Sequence, residues 1–245
     1  MLEAARQPDR RATWGGVLLI VGTVQYAVAQ LVAAAAWSTP YSLSRNYISD
    51  LGVTVCGTVN LPHGGTEQVC SPWHAVMNAS FILSGILLVT AMILLWSYWP
   101  PGPAARIGVV LLIVAGLGKV LTGLYPENTQ LSLHLLGALN IPLGELGILL
   151  LGIALIRHHG TAAAAGVGVA GVVLSGIGLA ASVLSSAAQT AGPALLLGLG
   201  AGTMERLAGY PANLWLLLAG VLVLTDRATE RADADAPASA SLQRR

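Results

Sequence analysis

The chain has 245 residues, of which 55% are hydrophobic and 9% charged, and its formal net charge is +1. So little charge, together with a mean hydropathy of +0.71, excludes a soluble globular domain. No basic stretch is interleaved with aromatic side chains, so we expect no nucleic-acid-binding surface. Several apolar stretches reach the roughly 20 residues that cross the hydrocarbon core of a bilayer. The sequence therefore predicts an all-α polytopic membrane protein.

Apolar length, interrupted by glycine, proline and charge, predicts a bundle of six transmembrane helices. In chain order they cover residues 14–37, 74–97, 105–124, 134–156, 161–186 and 207–225. The first apolar run follows Arg6, Arg10 and Arg11, as in a signal peptide, but it is longer than the roughly 7 to 15 apolar residues of a signal sequence. We therefore expect it to remain as a membrane anchor.

The distribution of Lys and Arg predicts the orientation of the bundle. If the N-terminus is cytoplasmic, all of the 12 Lys and Arg residues except Arg45, Lys119 and Arg206 fall on the cytoplasmic side, in agreement with the positive-inside rule. We therefore expect a cell-membrane protein with both termini in the cytoplasm. Its parts are a cytoplasmic segment 1–13, a transmembrane domain 14–225 and a disordered cytoplasmic tail 226–245.

Both cysteines of the chain, Cys56 and Cys70, fall in the long connection 38–73, which this orientation places outside the cell. In an oxidising exterior, a pair that closes so short a loop favours a structural disulfide over two free thiols. A redox role is less favoured, because the chain has no Cys-x-x-Cys motif. The bond would restrain the segment that contains His63.

Five polar residues in or beside the predicted helices are candidate site residues, because hydrocarbon makes such groups costly. His74 and Asn78 share a face at the outer end of the second helix, where His74 is either functional or an ordinary interfacial histidine. Lys119, below the outer end of the third helix, is either paired or snorkelling. Glu145 lies about 16 Å deeper than His134 on nearly the same face of the fourth helix. It is protonated, paired with a cation such as Lys119, or a helix-packing residue.

Small residues recur at spacings of three and four along the fifth predicted helix, which is typical of tight packing between transmembrane helices. They are Gly168, Gly171, Ser175, Gly178, Ser182 and Ser185. The following stretch, "GPALLLGLGAGTMERLAGYP", is interrupted by glycine. This pattern predicts a re-entrant or interfacial segment that presents Glu205 and Arg206 near the outer surface.

Four short motifs, taken in order, resemble a known family. They are "YISDLG" after the first helix, "HAVMNASFILSG" in the second, "GLYPENTQLSLH" between the third and fourth, and "ERLAGYPANLW" at the last. Together they are similar to the prokaryotic six-helix membrane family called domain of unknown function 998, over residues 14 to 225. The resemblance implies the fold but no activity. It also implies marked positions, namely Ser49, Asp50, Gly52, His74, Gly123, Pro126, His134, Glu205 and Arg206. The chain differs from the family pattern in its long first outer loop with the cysteines and at Tyr125 and Glu127.

These residues predict one outward-opening polar pocket, and the first hypothesis for it is an intramembrane hydrolase acting on a lipid or other amphiphile. Zinc held by Asp50, His74 and His134 would leave a position open for water. In a metal-free version, His134 would be a general base oriented by Asp50. The full predicted catalytic set is Ser49, Asp50, Lys119, His134 and Glu145. The predicted substrate-binding set is Arg45, Asn78, Glu127, Glu205 and Arg206.

Two further hypotheses stay open. The pocket of a binding or transport component would hold a small molecule or a lipid headgroup, with Glu145 or Lys119 coupling to protons. In a structural accessory subunit, the motifs would only fasten helices and loops together. Asp50 would then cap a short helix, and His74 would bond a loop carbonyl.

Overall fold

The computed structural model describes residues 10–38, 40–60, 66–158 and 160–235 of the chain. The helices are α1 (Arg10–Ala35), α2 (His74–Leu94), α3 (Pro103–Leu124), α4 (Leu131–Ala138), α5 (Asn140–Arg157), α6 (Ala162–Ala191) and α7 (Ala201–Asp235). Two short 3-10 helices cover Ser49–Gly52 and Pro193–Leu196, and two strands, β1 (Cys56–Asn60) and β2 (Thr66–Cys70), pair as an antiparallel hairpin. The predictions for residues 1–9, His63 and residues 236–245 lie outside the described residues.

Six stretches of the described chain are long and apolar enough to cross a membrane. They are Arg10–Ala35, His74–Leu94, Pro103–Leu124, Leu131–Arg157, Ala162–Ala191 and Ala201–Thr229. The predicted number and order of spans are confirmed, and the architecture is that of a multi-pass membrane protein.

The fourth predicted helix is two helices, α4 and α5, which meet at Leu139. Pro142 is the third residue of α5, where its missing N–H does not remove a helical hydrogen bond. The Asn140 side chain donates to the carbonyl oxygen of Gly137 at 2.8 Å, which satisfies a carbonyl group near the end of α4. The sequence "LNIP" therefore starts a new helix inside the fourth span, a signal that apolar length alone does not show.

The last helix begins earlier and ends later than predicted. α7 starts at Ala201, so Glu205 and Arg206 are helical and the expected re-entrant segment is wrong at these residues. Pro211 is accommodated inside the helix. The helix also includes residues 226–235, which had been expected to belong to a disordered tail.

The six spans pack as a closed ring in the order α1, α2, α3, α5, α6 and α7, and α7 contacts α1. Glycines face each other where α2 and α3 meet: a Cβ on Gly116 would lie 2.9 Å from the carbonyl oxygen of Gly85. In the described chain the same reciprocal arrangement occurs at four other helix pairs, through Gly108 and Gly147, Gly118 and Gly137, Gly152 and Gly168, and Gly16 and Gly220. Such pairs let helix backbones approach closely in lipid. The predicted packing role of the α6 stripe is supported, since Gly168, Gly171, Ser175 and Gly178 are buried.

Apolar clusters close the two ends of the ring. At the end where α2 finishes, Trp99 and Trp215 stack with ring centroids 5.9 Å apart and belong to a large buried cluster that also contains Leu112 and Leu216. At the other end, which we call the hairpin end, a second cluster joins α1 and α2 to residues 48–53 and to Val69 of β2. The polar cavity described next lies between the two clusters.

Candidate functional site

A cavity of about 70 Å³ lies inside the ring toward the hairpin end, between α1, α2, α3, α4, α5 and α7. By this measure one water needs about 10 to 15 Å³, so the cavity has room for a few waters or a small polar group. Its floor includes Leu112 and Leu216 of the apolar cluster around Trp99 and Trp215. Its roof includes Ile48 and Ser49 of the connection between α1 and α2, which we call the loop. The wall includes the polar residues Tyr26, Ser49, Lys119, Thr122, His134, Asn140, Glu205, Tyr210 and Asn213.

The side-chain amine of Lys119 lies on the wall of the cavity. Its Nζ lies 3.7 Å from the ring centroid of Tyr26, a cation–π contact, and 3.5 Å from Oδ1 of Asn213, which is a long hydrogen bond. Within the described chain, no carboxylate oxygen lies within 4.0 Å of this ammonium group. Lys119 and Asn213 also line a second cavity of about 20 Å³ and therefore separate the two spaces. The predicted embedded lysine is thus in a cavity rather than in an ion pair.

His134 is buried on the cavity wall near the start of α4. Its Nδ1 lies 2.9 Å from the carbonyl oxygen of Tyr125. Because a carbonyl only accepts, Nδ1 carries the hydrogen, and Nε2 is the basic nitrogen of the neutral ring. The backbone carbonyl of Tyr125 therefore orients this ring, in the role that we had predicted for Asp50.

Two adjacent residues of α7, Glu205 and Arg206, hold the loop that covers the cavity. A carboxylate oxygen of Glu205 accepts a hydrogen bond from the N–H of Ile48. Nη1 of Arg206 donates to the carbonyl oxygens of Leu43, Asn46 and Gly202 at 2.9, 2.8 and 2.8 Å. Arg206 is buried, Glu205 is partly buried, and both are bonded to the loop, so the pair is not simply solvated at the surface.

Tyr41 completes this attachment of the loop. Its hydroxyl donates to the carbonyl oxygen of Tyr47 at 2.6 Å and accepts from Nη2 of Arg206 at 2.5 Å. Burial raises the pKa of the Tyr41 hydroxyl well above its usual range. The phenol therefore stays neutral and can serve as donor and acceptor at once.

Asp50, His74 and Asn78 stabilise the loop and do not line the cavity. Oδ2 of Asp50 accepts from the N–H of Tyr47 at 2.6 Å, Nδ1 of His74 bonds the carbonyl oxygen of Ser71 at 2.9 Å, and Nδ2 of Asn78 donates to Gly52 at 2.8 Å. The His74 contact is the one that the accessory hypothesis predicted. Asp50 does not cap the short helix as that hypothesis expected, because it is the second residue of the 3-10 helix Ser49–Gly52 and bonds the N–H of Tyr47 instead.

The described chain contains no group of three His, Cys, Asp or Glu side chains placed to hold a metal ion. The expected grouping of Asp50, His74 and His134 is therefore not assembled in this arrangement, because each of these side chains is turned toward a different backbone group. Zinc binding stays a prediction that this geometry does not favour.

Glu145 is fully buried and lies outside the cavity lining, although its neighbour Gly144 lines it. Its Oε1 accepts from the N–H of Ala212 at 2.9 Å, and its Oε2 has no hydrogen-bond partner among the residues that the structure describes. Gly178 of α6 packs directly against the carboxyl group. The pairing with Lys119 that the sequence left open is not formed.

The remaining predicted residues are distributed around the hairpin end. Arg45 is exposed on the loop, and Glu127 follows α3, and neither lines the cavity. Of the predicted substrate-binding set, only Glu205 reaches the cavity wall. The Cys56–Cys70 disulfide is formed and links the ends of β1 and β2.

Tyr26, Tyr210 and Asn213 belong to the cavity wall but were not singled out from the sequence. Each interrupts an apolar helix with a polar atom, which is the signal that identified Lys119. Asn213 follows Pro211 by two residues, and this spacing is a further indication of irregular, polar helix structure within a span.

A closed ring of six apolar helices around an off-centre polar cavity defines a polytopic membrane protein with an internal site. Residues 20–222 match the family described as Protein of unknown function (DUF998), and the chain belongs to that family. No curated protein and no solved structure matches the chain.

Proposed function

We propose that the protein binds an oxyanion group, a carboxylate or a phosphate, in the cavity and that Lys119 is the residue that attracts it. The observation that carries the proposal is an ammonium group facing a polar cavity within the membrane region, with no carboxylate of the described chain within 4.0 Å. A charge at this depth is costly unless something compensates it. An anion in the cavity would supply this compensation and keep the amine charged.

The surroundings of Lys119 fit such a ligand. An ammonium group has three donors, and Asn213 accepts only one of them, at the long distance of 3.5 Å. The side-chain amide of Asn140 lies on the same wall, and it has a second hydrogen to donate besides the one bonded to Gly137. The small volume admits a headgroup or a small molecule, not an acyl chain.

We further propose that the ligand enters from the outside of the cell membrane, at the hairpin end. The excess of Lys and Arg at the opposite end supports this orientation. In the present conformation the floor of the cavity belongs to the apolar cluster around Trp99 and Trp215. This conformation is therefore suited to binding from one side, and passage across the membrane would require the floor to open.

The test is thermal unfolding of the purified protein in lipid nanodiscs. The soluble arms use acetate and inorganic phosphate in phosphatidylcholine discs, and the lipid arm uses phosphatidylglycerol discs. Because binding only to the native state stabilises it, we expect at least one arm to raise the Tm and Lys119→Met to remove the increase. Arg157→Met, a charge removal at an exposed site away from the cavity, should keep it.

The arms also separate the two sources of the anion. An increase in the soluble arms indicates a free carboxylate or phosphate, and an increase only with phosphatidylglycerol indicates a lipid headgroup. The proposal fails if no arm stabilises the wild type or if Lys119→Met responds as the wild type does.

A hydrolase acting on an amphiphile is the second candidate, supported by the orientation of His134. A neutral histidine with its basic Nε2 set by a backbone hydrogen bond faces the same cavity as Ser49, and these are the residue types of base-assisted acyl transfer. In this metal-free version, His134→Gln and Ser49→Ala would each abolish turnover of a short-chain ester while leaving the anion-dependent Tm increase. Turnover that survives both substitutions would remove this candidate.

A further inference from the structure

Glu145 is a membrane-embedded carboxyl group that the proposed binding site does not use. Its exposed fraction is 0%, only one of its two oxygens is hydrogen-bonded, and no cationic nitrogen of the described residues lies within 4.0 Å. An ionised carboxylate without a partner is strongly disfavoured in such surroundings, whereas the neutral acid is tolerated. Geometry alone therefore makes this carboxyl group a place where a proton binds.

Consecutive residues of α7 connect this carboxyl group to the cavity. The N–H of Ala212 donates to Oε1 of Glu145, and the side chain of the next residue, Asn213, accepts from Lys119. Both contacts follow Pro211, and proline disturbs the regular hydrogen bonding of the helix turn around it. The two contacts are thus made by consecutive residues of one helix turn.

We propose that Glu145 is a proton-binding site coupled through Ala212 and Asn213 to Lys119, so that an anion entering the cavity is accompanied by a proton taken up on Glu145. The step is a protonation from water: the Glu145 carboxylate gains H⁺ and becomes the neutral acid, and no other bond changes. The charge balance gives the reason. Proton uptake occurs above the midpoint at which Glu145 ionises: there, with Glu145 ionised and Lys119 charged, a bound monoanion leaves the core one negative charge in excess, and a proton taken up on Glu145 removes it.

Few other charges face Glu145. On α6, Gly178 contacts the carboxyl group, and the helix has no titratable residue. On α3 the nearest charged side chain toward the hairpin end is Lys119, and on α7 the titratable groups at this end are Glu205, Arg206 and Tyr210. Glu205 and Arg206 are bonded to the loop, and Tyr210 is bonded to Gln30. Lys119 is therefore the charge whose balance ligand binding changes.

The test is infrared spectroscopy of the full-length protein in nanodiscs, titrated between about pH 5 and about pH 9. The difference between wild type and Glu145→Gln isolates the carboxyl band of Glu145. Gln resembles the neutral acid and keeps an oxygen for the Ala212 N–H, so this variant should fold. We expect a carboxylic-acid band that titrates. Lys119→Met should move its midpoint to higher pH, because the cation to which Ala212 and Asn213 connect the carboxyl group no longer favours the carboxylate.

Arg157→Met serves as the matched control and should leave the midpoint unchanged. A missing carboxylic-acid band, a band that does not titrate, or equal midpoints in wild type and Lys119→Met would each overturn the coupling. The anion part of the inference rests on the proposed function, but this readout needs no anion. If acetate, phosphate and phosphatidylglycerol all fail to bind, the proposed function is wrong. The infrared titration would still decide whether Glu145 binds a proton and is coupled to Lys119.

Discussion

At the scale of single residues, Arg206 shows how one guanidinium group organises a loop. Nη1 bonds three backbone carbonyls, and Nη2 bonds the Tyr41 hydroxyl. The planar guanidinium group provides these donors in a fixed fork, whereas an ammonium group is a single point with three donors. The identity of the cation, and not only its charge, therefore matters at this position.

We predict that Arg206→Lys loosens the loop. Hydrogen bonds to charged groups contribute about 1.5 to 3 kcal/mol each, so the loss of one or two should lower the free energy of unfolding by about 1.5 to 6 kcal/mol. Unfolding in mixed micelles measures this change, and limited proteolysis should cut the connection 38–73 faster. Arg157→Lys, at an exposed site, should change neither by more than about 0.5 kcal/mol. Equal proteolysis of both variants would contradict this role.

The sequence identified part of this site because polar atoms are conspicuous in apolar helices. Lys119, His134, Glu205 and Ser49 were predicted as site residues, and all four line the cavity. Sequence alone did not show whether a polar side chain serves a ligand or a loop carbonyl. Asp50, for example, bonds its own loop at Tyr47, and that distinction depends on where residues distant in sequence come to lie.

At the scale of helices, the reciprocal glycine pairs decide how closely the spans approach. Gly116 of α3 lies against the backbone of α2, and a Cβ there would lie 2.7 Å from the side chain of Val89 and 2.9 Å from the Gly85 carbonyl oxygen. Backbone atoms have little freedom to move away. Gly176 of α6, in contrast, has open space where its Cβ would be.

We predict opposite effects of the same substitution at these two glycines. Gly116→Ala should destabilise the protein by about 1 to 3 kcal/mol, because overpacking forces α2 and α3 apart. Gly176→Ala should be neutral or stabilising by up to about 1 kcal/mol, because alanine is the better helix former. Unfolding of both variants in mixed micelles tests the contrast. A tolerated Gly116→Ala would mean that the α2–α3 contact is looser than the structure indicates.

Helix boundaries were less predictable than helix existence. Glycines that look like breaks, such as Gly202 and Gly209, lie inside α7, and a Cβ on Gly202 would lie 2.7 Å from the carbonyl oxygen of Leu43. Packing against a loop from the other end of the chain thus explains a glycine that local sequence rules interpret as a helix end. The hairpin was also missed, because its strands are polar and its pairing depends on the Cys56–Cys70 link.

The disulfide allows a prediction about this hairpin. Joining two cysteines separated by 14 residues should restrict the unfolded hairpin by about 3 kcal/mol in the chain-entropy description. In the Cys56→Ser, Cys70→Ser double variant, we expect amide hydrogen exchange to accelerate in β1 and β2 while α1 to α7 stay protected, because Val69 is the one residue of β1 and β2 that belongs to the buried clusters of the described chain. Faster exchange throughout the bundle would show that the hairpin supports the whole fold.

At the scale of the whole molecule, two independent arguments give the same orientation. The positive-inside bias assigns the ends of α1, α3, α5 and α7 that carry Arg to the cytoplasm. The hairpin end contains the disulfide, and disulfides persist in oxidising compartments outside the cytoplasm. The cavity roof, formed by Ile48 and Ser49, belongs to the same end. The side of the membrane that the hairpin end faces therefore decides whether molecules outside or inside the cell can reach the cavity.

We predict that the start of α4 is outside and that the connection between α5 and α6 is inside. In a background without the native cysteines, a membrane-impermeant maleimide should label Leu131→Cys in intact cells and Gly160→Cys only after permeabilisation, since both positions are exposed. The reverse pattern would place the hairpin in a reducing compartment, where thiol reduction opposes the disulfide. It would also turn the binding site toward cytoplasmic anions. The cavity at Lys119 would then take its ligand from inside the cell, and Glu145 would take its proton from the same side. The labelling result therefore determines which molecules are candidates for binding.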